Sequence, residues 1–293
     1  MKRLFDGKTI YIALVLGVCF GLGIIALFTG SDTGNVTYDV LQKGFTAFPV
    51  LAALCTRWIT KDKTPWNLSL KVWKQPGLWI FSAVVPGVLI ALGASLYFML
   101  FPEQYSGVFD YGVLMGMTDG GKMQITSLPV FLLVTVLIAA LFIPLQLLEL
   151  GEEIGWREYL LPRQIRRYGV HKAVLLNSFL WGIAHLPLIY YGFNYSENNI
   201  LAPWSNMIMM MLVCMTFGII CSYVTIVSGN CMYAAIVHGV VNLIGEVPVF
   251  LTLEKENGLL GPNPTGLIGM MFSIICAVIL FVRLGKVENK LEV

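Results

Sequence analysis

The chain has 293 residues, of which 57% are hydrophobic and only 12% are charged, and its formal net charge is +2. This composition excludes an ordinary soluble domain, in which about a quarter of the residues are charged. The small net charge gives no indication of nucleic-acid binding. Because no segments of about ten residues alternate as membrane strands do, we predict an all-α polytopic membrane protein.

Eight apolar segments are long enough for membrane helices, which need roughly 20 residues each. They span 9–29, 39–60, 77–101, 127–150, 172–193, 203–226, 231–251 and 264–284. Fifteen basic residues lie at the N-terminus, in 57–74, in 163–172 and in the C-terminal tail, whereas three lie in the opposite loops. Since cytoplasmic loops carry the excess of Lys and Arg, we predict both termini inside. The loops 30–38, 102–126, 194–202 and 252–263 are then outside.

The polar residues divide the chain into three regions within one integral-membrane domain. Residues 1–126 hold three segments almost free of ionisable groups, an interfacial segment at 61–76 and an outer loop at 102–126, and we interpret them as a scaffold. Residues 127–251 carry most of the polar side chains at membrane depth, where each ionisable group costs about 2.5–3.5 kcal/mol, so we expect the functional site there. Residues 252–293 hold the final helix and the cytoplasmic tail. The six cysteines include no C-x-x-C pair and are interpreted as packing residues.

Glu152 and Glu153 are adjacent carboxylates in the central region. On a helix, Glu149, Glu153 and Arg157 share one stripe at i, i+4 and i+8, so Glu153 and Arg157 can form an ion pair. Glu152 points about 100° away from that stripe. We therefore interpret Glu153 and Arg157 as structural, and Glu152 as the carboxylate that exchanges protons with water. The alternative is an ion pair at the cytoplasmic interface beside a solvated Glu152.

His185 and His238 are two of the three histidines in the chain and belong to different apolar segments. At 1.5 Å per residue, they and Glu152 lie on the order of 10–20 Å from the inner ends of their segments. Asn242 follows His238 by one helical turn and shares its face. We predict one cluster in the cytoplasmic half of the membrane, although either histidine alone is equally typical of a bond between helices.

Three motifs occur in order between residues 140 and 250. They are Glu152-Glu153-x-x-x-Arg157, Trp181-Gly182-Ile183-Ala184-His185 and His238-x-x-x-Asn242. Together they resemble the signature of the CPBP family (CAAX proteases and bacteriocin-processing enzymes), also called the Abi family, and prokaryotic members in particular. That family includes the Ras-converting CAAX endopeptidase. One position departs from its pattern, because Trp181 replaces the usual phenylalanine, an exchange of one aromatic ring for another.

The resemblance implies an intramembrane endopeptidase, in a prokaryotic plasma membrane, that cleaves membrane-associated proteins or C-terminal or leader peptides. It implies that Glu152 and His185 activate the attacking water, and that His238 and Asn242 stabilise the oxyanion. Amide hydrolysis requires such a base together with separate donors for the developing charge. The expected partners are a peptide or membrane-protein substrate and the lipid bilayer, without nucleic acid, and the cavity is expected to open toward the cytoplasm.

The sequence leaves the cofactor and two other functions open. Family members are usually described as metalloproteases, yet a metal-free glutamate mechanism fits the same residues. If zinc is bound, Glu152, His185 and His238 would form an open site, although the chain has no H-E-x-x-H motif. A proton- or cation-coupled transporter could use Glu149, Glu152, Glu246 and the histidines as a relay, but no repeat relates the two halves, as it does in many carriers. The third reading is a catalytically silent scaffold or immunity protein.

Overall fold

The computed structural model of the protein describes residues 6–30, 35–110, 121–125, 127–141, 147–253 and 258–291. The start of the chain and positions 111–120 and 126 of the predicted outer loop lie outside these residues. The described part is a bundle of helices with one small antiparallel sheet, which pairs Val108–Asp110 (β1) with Lys122–Gln124 (β2). The predicted all-α membrane class is therefore confirmed.

The helices follow the predicted order along the chain. They are α1 (Gly7–Thr29), α2 (Val36–Gly44), α3 (Phe48–Thr60), α4 (Pro76–Leu100), α5 (Leu128–Leu141), α6 (Leu150–Glu153), a π-helix (Ile154–Leu160), α7 (Leu161–Tyr168), α8 (Val170–Tyr190), α9 (Trp204–Ser228), α10 (Met232–Gly245), α11 (Val247–Phe250) and α12 (Met271–Leu291). Short 3-10 turns occupy Val72–Lys74, Pro102–Gln104 and Leu147–Glu149.

Each of the eight predicted segments contains helix, but segment 39–60 is divided. A turn at residues 45–47 separates α2 from α3 and brings Phe45 into the protein interior. In the described part of the chain, five helical stretches are long and apolar enough to cross a membrane: Gly7–Thr29, Pro76–Leu100, Val170–Tyr190, Trp204–Ser228 and Met232–Phe250. The number of eight spans and their orientation stay predictions.

Small residues bring the helices of the central region close together. Gly218 on α9 lies against Ser178 on α8, where an added Cβ would be 2.5 Å from the serine Oγ. Gly87 on α4 likewise faces Val240 on α10. Such contacts are typical of membrane helices, whose association depends on close packing because the surrounding lipid is as apolar as the side chains. They fix the positions of α8 and α10, which carry the two histidine motifs.

The contacts of α1 define two ends of the bundle. Near its start, the Gly7 carbonyl accepts a hydrogen bond from the Tyr159 hydroxyl at 3.4 Å. Near its end, the Gly23 carbonyl accepts one from the Tyr191 hydroxyl at 2.6 Å. At 1.5 Å per residue these two contacts are about 24 Å apart. We call the end with Tyr159 and Arg163 the arginine end, and the end with Tyr191 the distal end.

The predicted interfacial segment, residues 61–76, covers the arginine end as a largely irregular chain. The Arg57 guanidinium lies over the Trp66 ring, 4.4 Å from its centroid. The Asn67 backbone amide donates to a carboxylate oxygen of Glu158 at 2.5 Å. Farther along, the Tyr233 hydroxyl donates to the Val72 carbonyl at 2.7 Å. These contacts hold the segment against α3, the π-helix and α10.

Candidate active site

The two adjacent glutamates lie at the junction of α6 and the π-helix, and both are buried. A π-helical turn is rare and is frequently found at functional sites. Gly155 in this turn packs against the start of α3, where an added Cβ would be 2.6 Å from both the Pro49 backbone and the Tyr11 hydroxyl. The widened turn and this close approach fix the directions of both carboxylates.

Glu153 is bonded on two sides within the protein. Its Oε1 lies 3.2 Å from Nη1 of Arg157, in an ion pair whose side chains are both 0% exposed. The same oxygen lies 3.0 Å from Nδ1 of His238 on α10. The ion pair that the i, i+4 spacing predicts is therefore present, and its carboxylate also orients the second histidine. Glu153 and Arg157 lie behind the histidine rather than beside a substrate.

Trp181 contacts four residues of the cluster. Its indole Nε1 donates to Oε2 of Glu152 at 2.8 Å. The Arg157 guanidinium lies over its ring, 4.3 Å from the centroid. Its edge contacts involve both histidines, with centroid distances of 5.5 Å to His185 and 5.1 Å to His238. The sequence pattern identifies this tryptophan only as an aromatic replacement for phenylalanine. In the structure its N–H donates to Glu152, the predicted base.

The protonation of His185 follows from its partner. Its Nδ1 lies 2.8 Å from the Trp181 carbonyl oxygen, and also 3.6 Å from Sγ of Cys214. Because a carbonyl oxygen only accepts hydrogen bonds, Nδ1 carries the proton and the Nε2 lone pair is available. The Phe45 ring packs on the imidazole at a centroid distance of 4.4 Å. When the ring is neutral, its basic nitrogen is therefore Nε2.

Glu149 belongs to the cluster although the sequence did not assign it a catalytic role. Its Oε1 accepts a hydrogen bond from Nδ2 of Asn242 at 2.9 Å. Its Oε2 lies 3.9 Å from Nε2 of His238. The signal for this residue was its position one turn before Glu153, on the stripe that also contains Arg157. The oxyanion donors predicted from sequence, His238 and Asn242, therefore both face Glu149.

The carboxylates and His238 form a possible ligand set for a divalent metal. Among the described residues, Glu149, Glu152 and His238 offer ligand atoms within 4.8 Å of one another. The zinc set expected from sequence differs, because Glu149 takes the place of His185 in this group. Two carboxylates and one imidazole are ligand types that zinc accepts, so these three residues would hold the metal. A metal bound there would polarise a carbonyl and activate water.

Four of the six predicted site residues line one cavity of about 500 Å³, whereas Glu153 and Arg157 do not. Its walls include Glu149, Glu152, Trp181, His185, His238 and Asn242. The exposed residues of this lining, Lys43, Asn194, Asn242 and Glu246, mark its mouth. Asn194 lies three residues after Tyr191, so the mouth is at the distal end of the bundle, away from the arginine end. Polar residues from four parts of the chain therefore meet in one cavity that opens at the distal end.

Residues 126–244 match the family described as type II CAAX prenyl endopeptidase Rce1-like. This range contains all three motifs and covers less than half of the chain. No curated protein matches the chain significantly. The resemblance to the CAAX protease family that the motifs indicated is confirmed over this range.

The buried ion pair gives a first prediction. We expect Arg157→Ala to lower the free energy of unfolding by about 3–5 kcal/mol, because it leaves the Glu153 charge buried without a partner. The double variant Glu153→Gln with Arg157→Gln should recover much of this loss, since neither charge then remains. Thermal unfolding of the full chain in detergent measures both effects, with the exposed Arg167→Ala as the control. An Arg157→Ala protein as stable as the wild type would contradict the burial of the pair.

Proposed function

We propose that this chain, whose residues 126–244 match the Rce1-like CAAX prenyl endopeptidase family, is an intramembrane endopeptidase that hydrolyses peptide bonds with water activated by Glu152. The supporting observation is that a glutamate bonded to Trp181, a histidine and a separate histidine–asparagine pair line the same cavity. This combination provides a base and separate hydrogen-bond donors in the same space.

Water activation is assigned to Glu152 and His185. Trp181 holds one oxygen of the Glu152 carboxylate, and the other oxygen has no hydrogen-bond partner among the described residues. That oxygen takes a proton from the attacking water, while Nε2 of His185 accepts the water's second hydrogen bond. The proton on Glu152 then passes to the amine that leaves as the peptide bond breaks. Because His185→Asn would remove the basic nitrogen of this pair, we expect that variant to be close to inactive.

Oxyanion stabilisation is assigned to His238 and Asn242. Nδ1–H of His238 is bonded to Glu153, so donation to an oxyanion requires a second proton on Nε2. Carboxylates on both sides of the ring, from Glu153 and Glu149, favour this imidazolium form. The Asn242 amide has two hydrogens, of which one is bonded to Glu149 and the second is available. Donors placed before charge develops are worth about 10²–10³ in rate each.

The proposed substrate is a membrane-associated peptide in an extended conformation. The cavity walls combine the polar cluster with apolar side chains that include Leu188, Val213 and Phe217. Such walls accept an apolar side chain beside the bond that is cleaved. A folded soluble domain would not fit, so the cleaved segment must enter as a single chain.

Two expectations from the sequence conflict if the mouth is at the distal end. They are the orientation with both termini inside and the opening of the cavity toward the cytoplasm. The mouth of the cavity carries Asn194, which belongs to a loop predicted to be outside, whereas Arg163 and Arg166 are at the opposite end. We retain the orientation with both termini inside, because it depends on fifteen basic residues against three. We therefore propose that the cavity opens away from the cytoplasm of a prokaryotic plasma membrane, in place of the cytoplasmic opening expected from depth along the chain.

Proteolysis by Glu152 can be tested directly. Glu152→Gln keeps the side-chain shape and the bond from Trp181 but removes the base, which contributes about 10²–10⁴ in rate. We expect cleavage to fall by at least about 100-fold while the protein inserts and purifies normally. Peptidomics of cells that carry the wild type or the variant identifies the cleaved peptides, and exposed Glu103→Gln is the control. Near-wild-type cleavage by Glu152→Gln would refute the assignment.

Trp181 provides a second test, because phenylalanine keeps the ring and removes only the N–H donor. A hydrogen bond to a charged group is worth about 1.5–3 kcal/mol, so we expect Trp181→Phe to lower kcat about 10- to 100-fold with little change in KM. Purified protein and a peptide from the preceding comparison give both constants. Trp58→Phe, at a tryptophan that is 82% exposed on α3, is the matched control. An unchanged kcat would show that Glu152 needs no such donor.

Cysteine labelling tests the sidedness of the cavity. In a variant without native cysteines, Asn194→Cys at the mouth and Arg166→Cys at the arginine end should react with membrane-impermeant thiol reagents from opposite sides. The orientation proposed above further predicts that Asn194→Cys reacts from outside. Labelling of both positions from one side would contradict the position of the mouth, and Asn194→Cys reacting only from inside would reverse the orientation.

A further inference from the structure

A second cavity, of about 300 Å³, lies at the arginine end of the bundle. Its walls carry Arg57, Arg157, Arg163 and Arg166, and the acidic side chain among them is Glu158. We call it the arginine cavity. It does not share the lining of the proposed active site, since Arg157 lies behind Glu153 and Trp181 as viewed from that site. Its excess of positive charge suits an anionic ligand.

Arg157 provides the most specific feature of this cavity. Its side chain is 0% exposed, and its Nη1 is 3.2 Å from Glu153. The other two nitrogens, Nε and Nη2, have no hydrogen-bond partner among the described residues. A buried donor without a partner costs about 1–3 kcal/mol, and more when it is charged. An anion bound in the adjoining arginine cavity would lower this cost through its electrostatic attraction to the buried guanidinium.

The other three arginines of the cavity differ in how many of their donors are already bonded within the protein. Arg163 pairs with Asp62 and donates to the Tyr159 carbonyl. Arg57 uses one nitrogen to donate to the Thr64 carbonyl at 2.6 Å, and its plane lies on Trp66. Arg166 is exposed on α7 and makes no ion pair within the described part of the chain. Arg57 and Arg166 therefore retain donors at the mouth, while Arg157 is a buried cation in the wall.

We propose that the arginine cavity binds a phosphate group, carried by an anionic lipid headgroup or by a free phosphate ion. Guanidinium groups bind phosphate oxygens through paired, charge-assisted hydrogen bonds. Basic pockets between membrane helices on the positively charged side are typical binding sites for anionic headgroups. Trp66, Leu161 and Ile226 add an apolar wall beside the arginines, which fits the glycerol and the first acyl carbons of a lipid. This binding does not depend on whether the protein is a protease.

The experiment compares two charge-matched double variants of the full chain. Arg57→Gln with Arg166→Gln removes two cations from the mouth of the cavity. Lys63→Gln with Arg167→Gln removes two exposed cations from the same end that do not line it. Native mass spectrometry in detergent, with phosphatidylglycerol and with phosphatidylcholine as the neutral lipid, measures retention and affinity. Thermal unfolding with and without inorganic phosphate forms the second arm and also verifies that each variant is folded.

We expect the wild type to retain one phosphatidylglycerol more tightly than phosphatidylcholine. Each basic residue changes the affinity for an anionic lipid by about tenfold or less. The Arg57/Arg166 variant should therefore lose roughly 10- to 30-fold in affinity for phosphatidylglycerol, and the Lys63/Arg167 variant should lose little. If inorganic phosphate alone stabilises the wild type and the control, but not the Arg57/Arg166 variant, the source of the phosphate is a free ion. Equal lipid affinity and equal phosphate stabilisation in all three proteins would overturn the proposal, as would an equal loss in both variants.

Discussion

A charged guanidinium that is fully buried inside a membrane protein requires compensation, and two neighbours of Arg157 supply part of it. Its Nη1 pairs with Glu153, and its plane lies on the Trp181 ring. Those two residues in turn hold His238 and Glu152. The side chains proposed to act on a substrate are thus positioned by groups whose own positions depend on one buried ion pair. Because removing one partner of such a pair is far more costly than removing both, stability and geometry are linked at this point.

Two neighbouring glutamates have different chemistry here because their partners differ. Glu153 accepts from a cation and from an imidazole N–H, so its charge is used within the protein. Glu152 accepts from a neutral indole N–H and lines the cavity, which leaves a carboxylate oxygen for proton exchange. Adjacent positions on a helix point about 100° apart, and the π-helical turn that follows sets the direction of each. The same local geometry thereby separates a structural carboxylate from a proposed catalytic one.

The two cavities lie toward opposite ends of the bundle and have different linings. The break between α2 and α3 places Phe45 against His185, beside the cavity that opens at the distal end. The irregular segment with Trp66 covers the arginine end, where the second cavity lies. Arg157 is the contact between them, since it lines the arginine cavity and also lies on Trp181. A charge at one end is therefore connected, through two side chains, to the residues proposed to bind substrate at the other.

The sequence by itself determined the membrane class, the helical segments, the three motifs and the Glu153–Arg157 pair. These features depend on hydrophobicity and on spacing within a single helix, which local geometry fixes. Only the tertiary structure decided that Glu149, rather than His185, shares the cluster of ligand atoms with Glu152. It also decided the direction of the Trp181 N–H and the end at which the cavity opens. Such features depend on how different helices rotate and splay against one another, and distance counted along one helix carries no information about that.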